Sequence, residues 1–340
     1  MIDQRDKVRG CFLGLAIGDA LGKPWESYTA EKIKKTCGRI DRYIDNPDHK
    51  YYDNKPVGST TDDCQLSLAV ARALIKGKGI DLDLIAQEHV DEYRKTTSGW
   101  GTATREAIKQ ISEGTHWSNV KSEDENGNKL GYGNGIAMKI APLGLYFALQ
   151  PLKMLDSDNP TCEGKIDVIG ELKKIDQFVK MTHHTEVALE SAFAQLFAVI
   201  KCFKSDPDNF DVNSFIKTVC WSVSNHPKKE GTLAERFKLL SEHDKYSFGK
   251  IIEDFKGNCF VYNSLPFSYM FFVKNPMTIE CMYDCASSGG DVDTNASIVG
   301  ALLGSLHGTK IFPNHLIDTL EDFTGIIKLA DDLYDKCTIR

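Results

Sequence analysis

The chain is short of several features that would each have named a function class. Lys and Arg together number 41 against 48 Asp and Glu, giving a formal charge of -7 and a pI near 5.8. No basic stripe is left over to hold a polyanionic backbone, so nucleic acid is not indicated as a backbone-bound partner. No apolar run approaches the roughly 20 residues that span a bilayer. The opening "MIDQRDKVRG" lacks the charged-then-apolar order of a secretory signal. A cytoplasmic protein with no membrane partner is therefore expected. C-x-x-C pairs are absent, and the ten cysteines are scattered. Several of them, such as Cys11, Cys202 and Cys220, fall in apolar helical stretches, which predicts buried reduced thiols in place of a disulfide framework or a zinc site. Persuasive strands are missing too, as is any repeat of fixed period.

Helices are what the chain has in abundance. Residues 64–76, "CQLSLAVARALIK", set Leu66, Ala69, Val70, Ala73 and Leu74 on one face, and 186–202 do the same with Val187, Leu189, Phe193, Leu196 and Val199. Further helices are predicted over 6–21, 82–95, 101–112, 135–149, 211–223, 232–240, 296–307 and 314–336. Polar, Gly- or Pro-bearing stretches at 45–58, 121–129, 156–165 and 224–231 separate them, and none reads as an inter-domain linker. The expectation is one all-α domain over 1–340, with 41% hydrophobic residues to fill its core.

Two of these helices share an unusual spacing. Glycines fall at 10, 14, 18 and 22 in "RGCFLGLAIGDALGKPWES", and Ala296, Gly300, Gly304 and Gly308 repeat the four-residue step near the other end. Such spacing runs along one side of a helix. Each helical Gly costs about 1 kcal/mol relative to Ala, so close backbone approach between two central helices is the expected compensation. The membrane version of the motif is excluded by Asp19 and the charged flanks.

Acidic clusters precede two helices. "GSTTDD" places Thr61, Asp62 and Asp63 at the start of the 64–76 helix, and "GGDVDTN" places Asp291, Asp293 and Thr294 before the 296–307 helix. Helix capping accounts for one carboxylate or hydroxyl at each. Adjacent carboxylates repel unless something positive intervenes, and a hard divalent cation takes the oxygen ligands on offer. From the residues alone both readings stand. A calcium-binding EF-hand loop is excluded, because its sixth position would be Ala296 instead of Gly and its twelfth Leu302 instead of Glu.

Five pieces in order make the pattern specific: "GCFLGLAIGDALGKPWE", "GSTTDDCQLSLAVARAL", "GYGNGIAMKIAPLGLYF", "MTHHTEVALESA" and "SSGGDVDTNASIVGALLGSLHG". In this order the chain resembles the ADP-ribosylglycohydrolases, the family of the dinitrogenase reductase-activating glycohydrolase and of ADP-ribosylarginine and ADP-ribosylserine hydrolases. The resemblance implies a compact, single-domain orthogonal helical bundle. It also implies two Mg²⁺ or Mn²⁺ ions held by Thr61, Asp62, Asp63, Asp291, Asp293 and Thr294, with Glu26, Asp62 and Asp63 serving catalysis. Glu26 matches a glutamate implicated in positioning or activating water. Tyr132, Gly133, Asn134 and Gly135 match the loop around the diphosphate and distal ribose, and Thr182 and His183 match the T-H pair beside the phosphates. The implied activity is hydrolysis of the glycosidic bond between ADP-ribose and an acceptor, most simply a protein side chain such as Arg, by a monomer. A free derivative such as O-acetyl-ADP-ribose, or a non-enzymatic crystallin-like role, are the alternatives; the intact acidic set argues against the latter. ADP-ribosylated nucleic acid stays open as a substrate, and the acceptor-side loops, including 96–101 and 116–131, carry no readable motif.

Read from chemistry, glycines free backbone N–H groups to approach phosphate oxygens, and Asn134 between glycines offers an amide to ribose or diphosphate. Tyr132 suits either stacking or packing. Adjacent His183 and His184 diverge on a helix, so they do not both ligate a metal.

Overall fold

The computed structural model describes residues 2–50, 54–123, 126–150, 168–224 and 233–338. The polar stretch 156–165, Cys162, residues 225–231 and parts of 45–58 and 121–129 lie outside the described residues. Sixteen α-helices are described: α1 Gln4–Gly22, α2 Ala30–Cys37, α3 Asp62–Lys76, α4 Leu82–Lys95, α5 Thr102–Ser112, α6 Ala141–Leu149, α7 Val168–Lys180 and α8 Glu186–Lys204. The second half adds α9 Val212–Ser224, α10 Leu233–Lys238, α11 Phe248–Phe255, α12 Val261–Lys274, α13 Glu280–Ala286, α14 Val292–His307, α15 Asn314–Asp318 and α16 Phe323–Thr338. No strand occurs among the described residues, only isolated backbone bridges. The fold is all-α, as expected.

The glycine spacing has the consequence read from it. Helices α1 and α14 run antiparallel, one near each end of the chain, with their backbones in contact. A β-carbon on Gly14 would sit 2.0 Å from the Gly300 carbonyl oxygen, and one on Gly300 would sit 1.9 Å from that of Gly14. Gly10 and Gly304 face each other in the same way, and Gly18 faces Ala296, whose carbonyl oxygen lies 2.2 Å from where a β-carbon would be. Gly308 closes the stripe from just outside the helix: it caps α14 at φ +70, and a β-carbon on Gly10 would lie 2.7 Å from its Cα. Around this seam α3, α8, α12, α13 and α16 pack on one or other of its helices.

Several expected elements differ in detail, each for a local reason. The 135–149 helix begins only at Ala141, where Pro142 near the first helical position suits the start, after a short 3₁₀ turn at Ala137–Lys139. The 314–336 helix is broken in two, with Asp322 in the left-handed region at φ 55. On α8 the buried stripe runs through Ala188, Ala192, Gln195, Val199 and Cys202, while Val187, Leu189 and Phe193 are half-buried at its flank. Helices α2, α7, α11, α12 and α13 were not expected. α12 hides from periodicity because it is apolar nearly all round and carries Pro266 inside it. The described cysteines are free thiols, but Cys259 is exposed and Cys37, Cys220 and Cys337 are only half-buried, so burial holds for five of them.

Candidate active site

The site lies where the seam opens. At the end of α1, a β-carbon on Gly22 would meet the Asp293 backbone nitrogen at 2.2 Å, so the close approach sets the start of α14 beside α1. Asp19, one turn back on α1, then does the capping that the acidic clusters were offered for. Its buried carboxylate accepts from the backbone N–H groups of Thr61, at 2.9 and 3.0 Å, and of Cys64, at 3.0 Å, and from Thr61 Oγ1 at 2.9 Å. Neither Thr61 nor Asp291 caps its own helix with its side chain. The capping reading therefore fails for Thr61 and Asp291, while Asp293 Oδ1 does accept from a first-turn donor of its own helix, the Thr294 N–H at 2.9 Å, and the Asp62, Asp63 and Asp291 carboxylates do not cap.

Those carboxylates meet. Thr294 Oγ1 donates to Asp63 Oδ2 at 3.2 Å, joining segments 231 positions apart, and Thr61 Oγ1 lies 3.3 Å from the same oxygen. Asn134 Nδ2 donates to Asp291 Oδ2 at 2.5 Å, which ties the glycine loop to the second cluster. The loop is held from behind: Asn134 N donates to Cys259 O at 3.0 Å and Val261 N to Tyr132 O at 3.0 Å. Gly131 sits at φ +98, where a β-carbon would press within 2.9 Å of His183 Cα, so only glycine fits. Glu26 arrives with the segment whose Ser27 N donates to Gly290 O at 2.6 Å, and Gly290 N returns a bond to Tyr28 O at 2.8 Å.

Together these residues wall a cleft of about 640 Å³. Glu26, Asp62, Asp63, Tyr132, Gly133, Asn134, Gly135, His183, Asp291, Asp293 and Thr294 line it; Thr61 and Thr182 stand behind the lining. Thr182 Oγ1 is 2.8 Å from His183 Nδ1. His183 is buried and His184 exposed, but both lie in the link between α7 and α8 and not on a helix as expected. Tyr132 is 47% exposed, its ring edge-on to Phe260 at 6.2 Å, so it stands at the mouth. Of the acceptor-side loops, Thr97, Gly99, Trp100 and Gly101 reach the cleft, as do Lys129, Leu130 and Gly131. His116 and Trp117 line a separate surface hollow instead.

Sequence reasoning missed four residues here. Asp19 was visible only as a charge breaking an apolar stripe, which was the available signal. Lys139, fully buried behind Thr182, and Thr104 and Cys259 on the wall carried none.

Electrostatics follow from crowding acids out of water. Burial first, then Asp19 and neighbouring carboxylates, push Asp62 and Asp63 well above the usual range; burial, then Asp291, Glu26 and Asp63, do the same to Asp293. Asp291 is raised by burial against the opposing hydrogen bond from Asn134. Glu26 is raised to about 7, by burial and then by Asp291. The Cys259 thiol is pushed up to about 12, chiefly by Asp291, and so stays protonated.

A divalent cation suits this donor set. Asp63 Oδ1 is buried with no hydrogen-bond partner among the described residues, and the surrounding donors are hard oxygens. The acids share the cleft without closing on one point: among the described residues no group of three or more His, Cys, Asp or Glu takes up a ligand arrangement. No helix among the described residues is long and apolar enough to cross a membrane.

The profile of the family described as ADP-ribosylglycohydrolase matches residues 1–340. The chain is 23% identical over 354 residues to the ADP-ribosylhydrolase ARH3 of Gallus gallus, covering 97% of this chain and 93% of that one. It is 22% identical to the ADP-ribosyl-[dinitrogen reductase] glycohydrolase of Rhodospirillum rubrum, over 93% and 90% of the two chains. Among solved structures, one titled "ADP-ribosylglycohydrolase-related protein complex" superimposes with a TM-score of 0.68 at 22% identity, covering 98% of this chain and 99% of that one, a likeness of fold. With the match running end to end over a site assembled from the seam, the chain belongs to the ADP-ribosylglycohydrolase family of hydrolases.

Proposed function

We propose that this hydrolase cleaves the glycosidic bond between ADP-ribose and a modified acceptor, most simply a protein side chain such as arginine. The observation that carries this reading is the 3.2 Å hydrogen bond from Thr294 Oγ1 to Asp63 Oδ2, which joins the two acidic segments in a cleft walled by the glycine loop. Thr61, Asp62, Asp63, Asp291, Asp293 and Thr294 are assigned to hold two Mg²⁺ or Mn²⁺ ions. When bound, such ions supply chelation of vicinal ribose hydroxyls and Lewis-acid polarisation of a water. The whole chain, 1–340, is taken to act as one domain, because the two halves of the site come from its opposite ends.

The protein's own groups account for the rest. Gly133, Asn134 and Gly135 leave room and N–H groups for the diphosphate and distal ribose, with His183 on the adjoining wall. Tyr132 at the mouth offers a face to the adenine. Glu26 accepts the proton of the water that attacks ribose C1, and hands it on to the acceptor as the bond from C1 to the acceptor breaks. Asp62 and Asp63 stabilise positive charge developing on the sugar. Such a division suits Glu26, the half-buried member of a set whose other carboxylates lie deeper.

Release of ADP-ribose from arginine-, serine- and nucleic-acid-linked substrates and from O-acetyl-ADP-ribose, each with and without added Mg²⁺ or Mn²⁺, tests the reading. Cation-dependent release from at least one is expected, and the linkage cleaved names the acceptor. Binding of ADP-ribose with no release from any substrate would replace the enzyme with a binding protein.

A further inference from the structure

Lys139 is fully buried, yet no carboxylate stands within ion-pair distance of it among the described residues. The one hydrogen bond of its ammonium among them is a long one, from Nζ to Thr182 Oγ1 at 3.4 Å, and the Phe178 ring lies beside it with its centroid 5.6 Å away. Burying a cation without a counter-charge is costly. The chemistry of its partner suggests what the cost supports.

An ammonium has three donors and no acceptor, whereas a hydroxyl has one donor and two acceptor lone pairs. Thr182 Oγ1 therefore accepts from Lys139. The hydroxyl hydrogen has one acceptor in reach among the described residues, His183 Nδ1 at 2.8 Å. Thr182 is itself buried, so leaving that hydrogen unpaired would cost the full desolvation of a polar group. With Nδ1 occupied as an acceptor, a neutral imidazole carries its proton on Nε2. That nitrogen lies on the cleft wall, where a β-carbon on Gly135 would come within 3.2 Å of it.

We propose that Lys139 is a positioning residue which, through Thr182, holds His183 in the tautomer that directs Nε2–H into the cleft as a donor to an anionic oxygen. Naming that oxygen as the diphosphate of ADP-ribose rests on the function proposed above; the tautomer does not. The relay explains why a cation stands one residue removed from the cleft: in direct reach it would compete for the diphosphate instead of orienting a neutral donor. Burial, then Lys139 itself, lowers His183 to about 3, and burial, opposed by Asp62, lowers Lys139 to about 7. At pH 6 the imidazole is neutral and the amine is charged, which is the state the donor count assumes.

The test is long-range ¹H–¹⁵N correlation on protein labelled with ¹⁵N-histidine, recorded at pH 6, with ADP-ribose titrations on the same samples. The wild type should show His183 protonated on Nε2. Lys139→Met, close in shape but without a donor, should lose that single tautomer and bind ADP-ribose about tenfold more weakly. Lys139→Arg, again a pure donor, should restore both. Thr182→Val should reproduce the Lys139→Met spectrum, and keeps the test alive if that variant fails to fold. A wild-type spectrum with the proton on Nδ1, or a Lys139→Met spectrum unchanged from wild type, overturns the relay. The expected spectra with no ADP-ribose binding in any sample uphold the relay and remove the assigned ligand.

Discussion

Midway along the seam, Gly14 and Gly300 bring two backbones together with no side chain between them. About two turns further on, the same approach ends at Gly22 and Asp293, where side chains return as carboxylates. One region has nothing polar to satisfy beyond its own helical hydrogen bonds. The other crowds Asp62, Asp63, Asp291 and Asp293 together, their charges raised in energy by burial and, for all but Asp291, by neighbouring carboxylates. Packing explains the first region completely. In the second it leaves buried carboxylates whose repulsion protonation or a bound cation would relieve, and the function proposed above makes that difference the line between a structural device and a functional one.

The largest expected effect breaks the seam itself. Gly14→Ala forces a β-carbon against the Gly300 backbone, which no rotamer change relieves, and should cost at least about 3 kcal/mol in urea-induced unfolding. Gly249→Ala is the contrast: on α11 nothing lies within 4 Å of the added carbon, so the same exchange should stabilise by up to about 1 kcal/mol. Similar losses from both would show that the seam has nothing special about it.

Within the cleft the acids should separate by role. Asp291→Asn and Asp293→Asn keep size and remove charge, so cation affinity and turnover should fall together. Glu26→Gln should keep cation and ADP-ribose binding while single-turnover rate drops by about 10²–10⁴-fold. Metal stoichiometry and rate read on one sample decide this; loss of both ions in Glu26→Gln makes Glu26 a ligand, and full activity removes it from the mechanism.

A smaller loss is expected from Asn134→Ala. The amide bridges the glycine loop to Asp291, so ADP-ribose affinity by calorimetry should weaken about tenfold while the cations stay bound. Unchanged affinity would rule out the loop as the nucleotide site.

The smallest effect is a slope. Burial holds His183 at about 3, below its ordinary 6.5. Between those values the unfolded chain binds the proton and the folded one does not, so this contribution to stability is complete above 6.5 and is lost as pH falls towards 3. His183→Gln removes the term, and its melting temperature relative to wild type should rise as pH is lowered from about 7 to about 5. A constant difference would mean that His183 is not buried as a neutral ring.

Much of this was legible in the sequence because it repeats a spacing or a residue type. The seam is written in glycines four apart, and the clusters in paired acids beside hydroxyls. Asp19 was not legible as a cap, since capping is normally sought from residues next to the helix and this cap comes 42 positions away. Lys139 was hidden likewise: in "GIAMKIAP" nothing marks a lysine destined for the interior. Helix α12 was lost because a helix buried on every side shows no stripe. Residues whose role depends on what packs against them have no local signature, and three-dimensional contact alone reveals them.

The most direct test of the central claim is one set of melting curves, wild type and Asp293→Asn, each in chelator and in Mg²⁺ or Mn²⁺. If buried like charges await a cation, wild type should melt lower in chelator and recover with metal. Asp293→Asn, with one repelling charge removed, should melt above wild type in chelator and respond little to metal. Curves for both proteins indifferent to chelator and metal, with the variant no more stable than wild type, would contradict the account.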